Sequence, residues 1–194
     1  MQTLAEVERD ALACTRCPLH RGRTNVVFGM GHPDADLMFV GEGPGQQEDA
    51  EGLPFVGRSG QLLDRLMGEE MGLTRAACYI ANVVKCRPPN NRDPLPDEIT
   101  SCRPYLERQL ELIDPRVVVT LGNFATKLLL GSTEGITRLR GRAYPLAGGR
   151  TLVPTYHPAA VLRGGGDSMA QMRADLVRAK QLLAAAAPAP CPNG

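Results

Sequence analysis

Four polar residues stand near or just beyond the ends of the most apolar runs in this sequence: Glu42, Asn82, Asn123 and His157. A carboxylate, two amides and an imidazole gathered at one rim would suit a small hydrogen-bonding ligand. The carboxylate and imidazole could also move protons or offset charge during a reaction. Cysteine supplies a second kind of chemistry. Two residues separate Cys14 from Cys17, and fifteen separate Cys86 from Cys102. Four thiolates can hold either a tetrahedral zinc or an iron-sulfur cluster, and the wide second spacing is not the repeated pair of a zinc ribbon. Cys14 and Cys17 flank a turn rather than an apolar face, which argues against four unrelated buried thiols. Cys78 alternates into an apolar run and Cys191 lies in the last residues, so both stand apart.

The chain that must position these groups has 194 residues, enough for one compact domain, expected over residues 1–187. Its 22 Lys and Arg nearly cancel its 21 Asp and Glu, so any footprint for nucleic acid must be local. No apolar run approaches the roughly 18 residues of a membrane span. The opening MQTLAEVERD is too acidic and polar for a signal peptide. These features lead us to expect a soluble cytoplasmic protein, in which six cysteines do not form a disulfide framework. With no Trp, four Phe and four Tyr, each aromatic in a polar stretch carries more weight.

Thr3-Leu4-Ala5-Glu6 is a capping-box pattern that opens a short amphipathic helix through Leu12. Leu37 to Val40 is an apolar strand running into Gly41-Glu42-Gly43-Pro44-Gly45, a sharp turn that lets a ligand approach the backbone closely. Taken alone, the glycines favour a plain strand-to-helix connection. A helix with Leu62, Leu63, Leu66 and Met67 on one stripe follows, then a strand from Cys78 to Val84. Lys85 to Pro94 is an aperiodic loop, and Pro96-Asp97-Glu98 starts a helix that runs to about Ile113 and contains Cys102. Val117 to Leu121 is a third strand with a short helix behind it, and Thr151 to Thr155 a fourth. Met169, Met172, Leu176, Ala179 and Leu183 line a last helix, and Pro188 to Gly194 is expected to be a disordered tail.

Apolar strands alternating with helices imply a mostly parallel sheet of four strands, covered on both faces. In such sheets ligands sit outside the carboxyl ends of the strands, where Glu42, Asn82, Asn123 and His157 would gather. His157 precedes Pro158, which favours an extended conformation at a strand end. Phe55, in a glycine-rich loop, is either a core plug or a flat surface for stacking a base. Arg163 precedes three glycines and is compatible with simple solvation.

GEGPGQQED with LPFVG, then YIANVVKCRPPNNR, then HPAAVLR, together with the four-cysteine spacing, resemble the iron-sulfur class of uracil-DNA glycosylases, called family 4. The likeness extends from about Cys14 to Arg163. It implies a three-layer α/β/α sandwich that carries a 4Fe-4S cluster on Cys14, Cys17, Cys86 and Cys102. It also implies a substrate, uracil-containing DNA, and an enzyme of base-excision repair that hydrolyses the N-glycosidic bond and leaves an abasic site, a task that suits a monomer. A base is flipped out of the stack for such chemistry. In this resemblance Phe55 stacks on uracil and the Asn82 amide pairs with O4 and N3–H. Gly41, Glu42 and Gly43 line the pocket, and Glu48 crowds C5 against thymine. His157 donates to O2 as charge develops there, and Glu42 orients water or offsets the positive sugar. Leu162 or Arg163 fills the space that the base leaves, while Lys85, Arg87, Arg92 and Arg163 contact phosphates. Gly43 stands where the best-studied family of these glycosylases has a water-positioning aspartate. The segment from Lys85 to Pro96 lacks the histidine of the covalent uracil-trapping variant. The rival readings are a non-catalytic iron-sulfur module that binds uracil-containing DNA and a zinc-bearing nucleotide-binding protein.

Overall fold

A computed structural model of the protein describes residues 2–185. Helix α1 (Leu4–Leu12) opens on the capping box expected from its sequence, with Thr3 and Glu6 exchanging hydrogen bonds across the first turn. Two short edge strands and four central ones make up the sheet. β1 (Met30–Gly31), β2 (Leu37–Gly41), β3 (Tyr79–Asn82), β4 (Val117–Leu121), β5 (Tyr144–Leu146) and β6 (Arg150–Thr155) lie in the order β1-β3-β2-β4-β6-β5. The central four are parallel, as expected, and the two edges are antiparallel. The sheet thus has six strands rather than four. β1 and β5 span only two and three residues, too short to show an alternating pattern.

Residues on the central strands alternate between two cores. Met38, Val40 and Val118 pack with Val7 and Ala11 of α1 and with Tyr105, Leu106 and Leu110 of α4 (Pro96–Ile113). Leu37, Phe39, Val117 and Val119 face the other way, onto Leu62, Leu63 and Leu66 of α3 (Arg58–Leu66) and Met172 and Leu176 of α8 (Gly166–Ala185). That two-residue period makes three layers, α/β/α. The connecting helices are α2 (Gln46–Glu51), α5 (Asn123–Leu130), α6 (Ile136–Leu139) and α7 (Pro158–Gly164). Helix α2 shows no apolar stripe in QQEDAE, and it starts because the Glu48 carboxylate turns back to accept the Gly45 N–H. Among the described residues no helix is long and apolar enough to cross a membrane. The expected tail, Pro188 to Gly194, lies outside the described residues.

After β2 the chain places β3 on one side and β4 on the other, so the carboxyl end of β2 is a topological switch point. The register pairs Gly41 with Asn82. Backbone bonds from Val83 N–H to Gly41 and from Val84 N–H to Glu42 extend that pairing past the strand ends.

Candidate active site

A cleft of about 960 Å³ opens at this edge, lined by Glu42, Glu48, Phe55, Asn82, His157 and Arg163 together with parts of the loops around them. Strand β2 delivers Glu42, β3 delivers Asn82, and β6 leads through Tyr156 into His157, the N-cap of α7. Gly41 does not itself line the cleft. It clears the way, since a Cβ there would come within 2.5 Å of both the Phe55 ring and Asn82 Oδ1. At Gly43 a Cβ would meet a Val84 methyl at 2.7 Å.

Asn82 is 1% exposed, and its Oδ1 is buried without a hydrogen-bond partner. An unmatched buried acceptor costs on the order of 1–3 kcal/mol, which a ligand with a donor at that point would return. Phe55 is held beside it under strain. Its φ is +54°, Arg75 donates to the carbonyls of both Pro54 and Phe55, and Gly60 allows the turn because a Cβ there would lie 1.6 Å from the Phe55 oxygen. The ring lies 5.7 Å from that of His157, tilted by 33°. Phe55 is therefore both buried and a wall of the cleft, which unites the two readings of its sequence.

His157 Nδ1 accepts the Ala159 N–H at 3.1 Å, which leaves Nε2 to carry the proton of a neutral ring. Burial, reinforced by the Arg163 charge and opposed by Glu48, pushes its pKa down to about 4. The ring is thus a neutral donor at ordinary pH. Burial, with the Asp93 carboxylate as a second cause, raises Glu42 from 4.5 to about 7. Two groups that line one cleft with pKa values displaced to the reverse of their usual order are a feature of sites built for reaction. Asp93, an acid within the basic loop, was not among the sequence candidates, and only its proximity to Glu42 reveals it.

Several expectations change. Asn123 leaves the rim: its Oδ1 accepts the Ile136 N–H at 2.8 Å and so caps α6. Glu48 lines the cleft, but its carboxylate receives the N–H groups of Gly45, Val56 and Gly57 and braces the loop around Phe55. Lys85 cannot meet a phosphate, because it is 1% exposed and its ammonium is bonded inward, to the Asn82 carbonyl and Gln109. Arg92 reaches the cleft with its guanidinium paired at two points to the buried Glu98, so its charge is largely neutralised. Arg87 is half-buried and bonded to Asn91. Leu162, 44% exposed, and Arg163 stand free on α7.

On the other side of β3, Cys14, Cys17, Cys86 and Cys102 line one small cleft. The Cys86 sulfur accepts from Arg23 at 3.3 Å, and that of Cys102 from the Lys85 backbone N–H at 3.2 Å. Among the described residues no three Cys, His, Asp or Glu side chains converge closely enough to grip one metal ion. A tetrahedral zinc would need such convergence, with sulfurs about 2.3 Å from one point. The four thiols nonetheless share this one cleft, and two of their sulfurs already receive N–H bonds of the kind that orient thiolate ligands.

Comparison with known proteins agrees with this geometry. The family model described as the uracil DNA glycosylase superfamily matches residues 28–180. A type-4 uracil-DNA glycosylase of Sulfurisphaera tokodaii is 47% identical, covering 84% of this chain and 77% of that protein. One from Saccharolobus solfataricus is also 47% identical, over 84% and 78% of the two chains, and one from Thermotoga maritima 46%, over 88% and 89%. The chain belongs to the uracil DNA glycosylase superfamily, on its type-4 branch.

Proposed function

We propose that this protein is a monofunctional uracil-DNA glycosylase that initiates base-excision repair, folded as a single domain over residues 1–187 and acting as a monomer in the cytoplasm. The observation that carries the reading is the unpartnered Asn82 Oδ1 in a cleft walled by Phe55 and His157. Uracil supplies an N3–H donor for that oxygen and an O4 acceptor for the amide nitrogen, whereas cytosine presents the reverse pattern. Phe55 offers its face to the flipped base. As the bond from C1′ to N1 breaks, its electron pair stays on uracil, and the His157 Nε2–H donates to O2, where the charge appears. Glu42, ionised, directs a water to C1′ and takes its proton, or offsets the oxocarbenium charge that forms there. Arg87 and Arg163 contact phosphates, and Leu162 enters the space that the base leaves.

Cys14, Cys17, Cys86 and Cys102 would hold a 4Fe-4S cluster. Bound there, it would tie down the DNA-facing loop that leads from Cys86 towards Cys102, and it would supply no redox step to the hydrolysis. A reducing compartment suits four such thiolates.

A binding module for uracil-containing DNA would need Phe55 and Asn82, but gains nothing from a displaced carboxyl and a neutral imidazole beside them. The test is release of free uracil, followed by mass spectrometry, from an oligonucleotide bearing one uracil. Stoichiometric release with an abasic site left in the strand is expected. Uracil-selective binding by the wild type with no release would overturn the enzymatic reading.

A further inference from the structure

Lys85 is the residue whose sequence context is most at odds with its place. It sits in a basic loop, yet its side chain is 1% exposed and no carboxylate is among its hydrogen-bond partners. A buried ammonium is costly unless its donors are matched. Nζ donates to the Asn82 carbonyl at 2.8 Å and to Gln109 Oε1 at 2.5 Å, and lies 5.7 Å from the centroid of the Phe28 ring. Gln109, itself fully buried, is fixed by donating to the Phe28 carbonyl at 2.8 Å and the Tyr79 hydroxyl at 3.3 Å. The backbone of Lys85 is anchored as firmly. Its N–H donates to Cys102 Sγ at 3.2 Å, and its carbonyl accepts from Val27 at 2.8 Å.

We propose that Lys85 is a positioning residue that fixes the base-reading amide from the cysteine side of the sheet: its ammonium holds the Asn82 main chain while its own main chain holds the Cys102 sulfur. Asn82 is the last residue of β3, paired with Gly41; beyond it the N–H groups of Val83 and Val84 carry the pairing on, and the Asn82 carbonyl is taken by the Lys85 ammonium. With its carbonyl clamped, the side chain meets N3–H and O4 in one orientation, and no reorganisation is needed when uracil arrives. The inference rests on the glycosylase reading and adds the element that links its two sites.

The test is a double-mutant cycle on the brown holoprotein with Lys85→Met, which keeps the length and removes the donors. Single-turnover excision is expected to slow by about 100-fold, the scale of a 1 Å misplacement, with DNA affinity changed less than about threefold. Iron content and visible absorption should be retained. In an Asn82→Ala background the same substitution should slow excision less than about twofold, while in a His157→Ala background it keeps its full effect. Calorimetric affinity for free uracil should fall in Lys85→Met and show the same non-additivity with Asn82→Ala. Equal losses in the wild-type and Asn82→Ala backgrounds, or no loss at all, would overturn the proposal. If Lys85→Met does not fold, Gln109→Leu, which removes the other acceptor, takes its place in the cycle, with the same results supporting or overturning the proposal. A wild type that excises nothing would instead defeat the glycosylase reading, and the free-uracil cycle would still test Lys85.

Discussion

Glu42 carries opposite consequences for stability and for activity. Its pKa is about 7 in the folded protein, raised first by burial and then by Asp93, against 4.5 for an ordinary glutamate. Below pH 4.5 both folded and unfolded chains hold the proton. As pH rises through 7 the folded chain must ionise a desolvated carboxyl, so its contribution to stability is lost across that window. Glu42→Gln is therefore expected to raise the unfolding free energy by about 1 kcal/mol at pH 8, a value discounted for partial exposure, and to leave it unchanged near pH 4. Urea denaturation at the two pH values measures this. Excision is expected to run the other way, because either role proposed for Glu42 needs the ionised carboxylate: single-turnover rates should rise with pH to a plateau above about 7 and lose that slope in Glu42→Gln. His157, with its pKa near 4, should add no limb above pH 5. A slope that survives in Glu42→Gln would assign the titration to another group.

At the scale of elements, the loops at the sheet's carboxyl edge are set by close approaches that tolerate no side chain. Gly60→Ala would drive a methyl into the Phe55 carbonyl, so a loss of about 1–3 kcal/mol is expected in denaturant melts, together with weaker binding of uracil. Asp175, 1% exposed on α8, accepts from Arg140 and from Thr155 at the end of β6. Asp175→Ala would strand Arg140, and a loss of about 3–5 kcal/mol is expected on the same measurement. The four central strands were legible because continuous apolar runs of four or five residues ending in Gly or a polar residue have few other uses. Their ends then located Glu42, Asn82 and His157. The same rule misplaced Asn123, because whether a residue past a strand faces the ligand or caps the next helix depends on a partner, Ile136, thirteen positions on. Lys85 was misread for a similar reason. A lysine in a basic loop reads as solvated unless Gln109, on a different element, is known to offer its oxygen. Asp93 and Arg23 act only through such long-range neighbours, so nothing local marked them.

For the whole molecule, a net charge of +1 means that attraction to DNA cannot come from a bulk field. It must come from a few cations in and around the cleft, among them Arg163, exposed on its wall, and Arg87 on the neighbouring loop. Each changed to Ala should lower the slope of log affinity against log salt by about 1, while Lys85→Met leaves that slope unaltered. With the proposed cluster in place, stripping iron with a chelator should lower the melting temperature and weaken DNA binding, since the loop between Cys86 and Cys102 would lose its tie. The central claim is that the Asn82 amide selects uracil at a site that also breaks its bond. Its most direct test is single-turnover excision from oligonucleotides differing only in one base, uracil, thymine or cytosine, by wild type and Asn82→Ala, with DNA affinity measured in parallel. The expected result is excision of uracil alone by wild type and a loss of at least about 100-fold in Asn82→Ala with DNA binding retained. Undiminished, uracil-selective excision by Asn82→Ala would contradict the account.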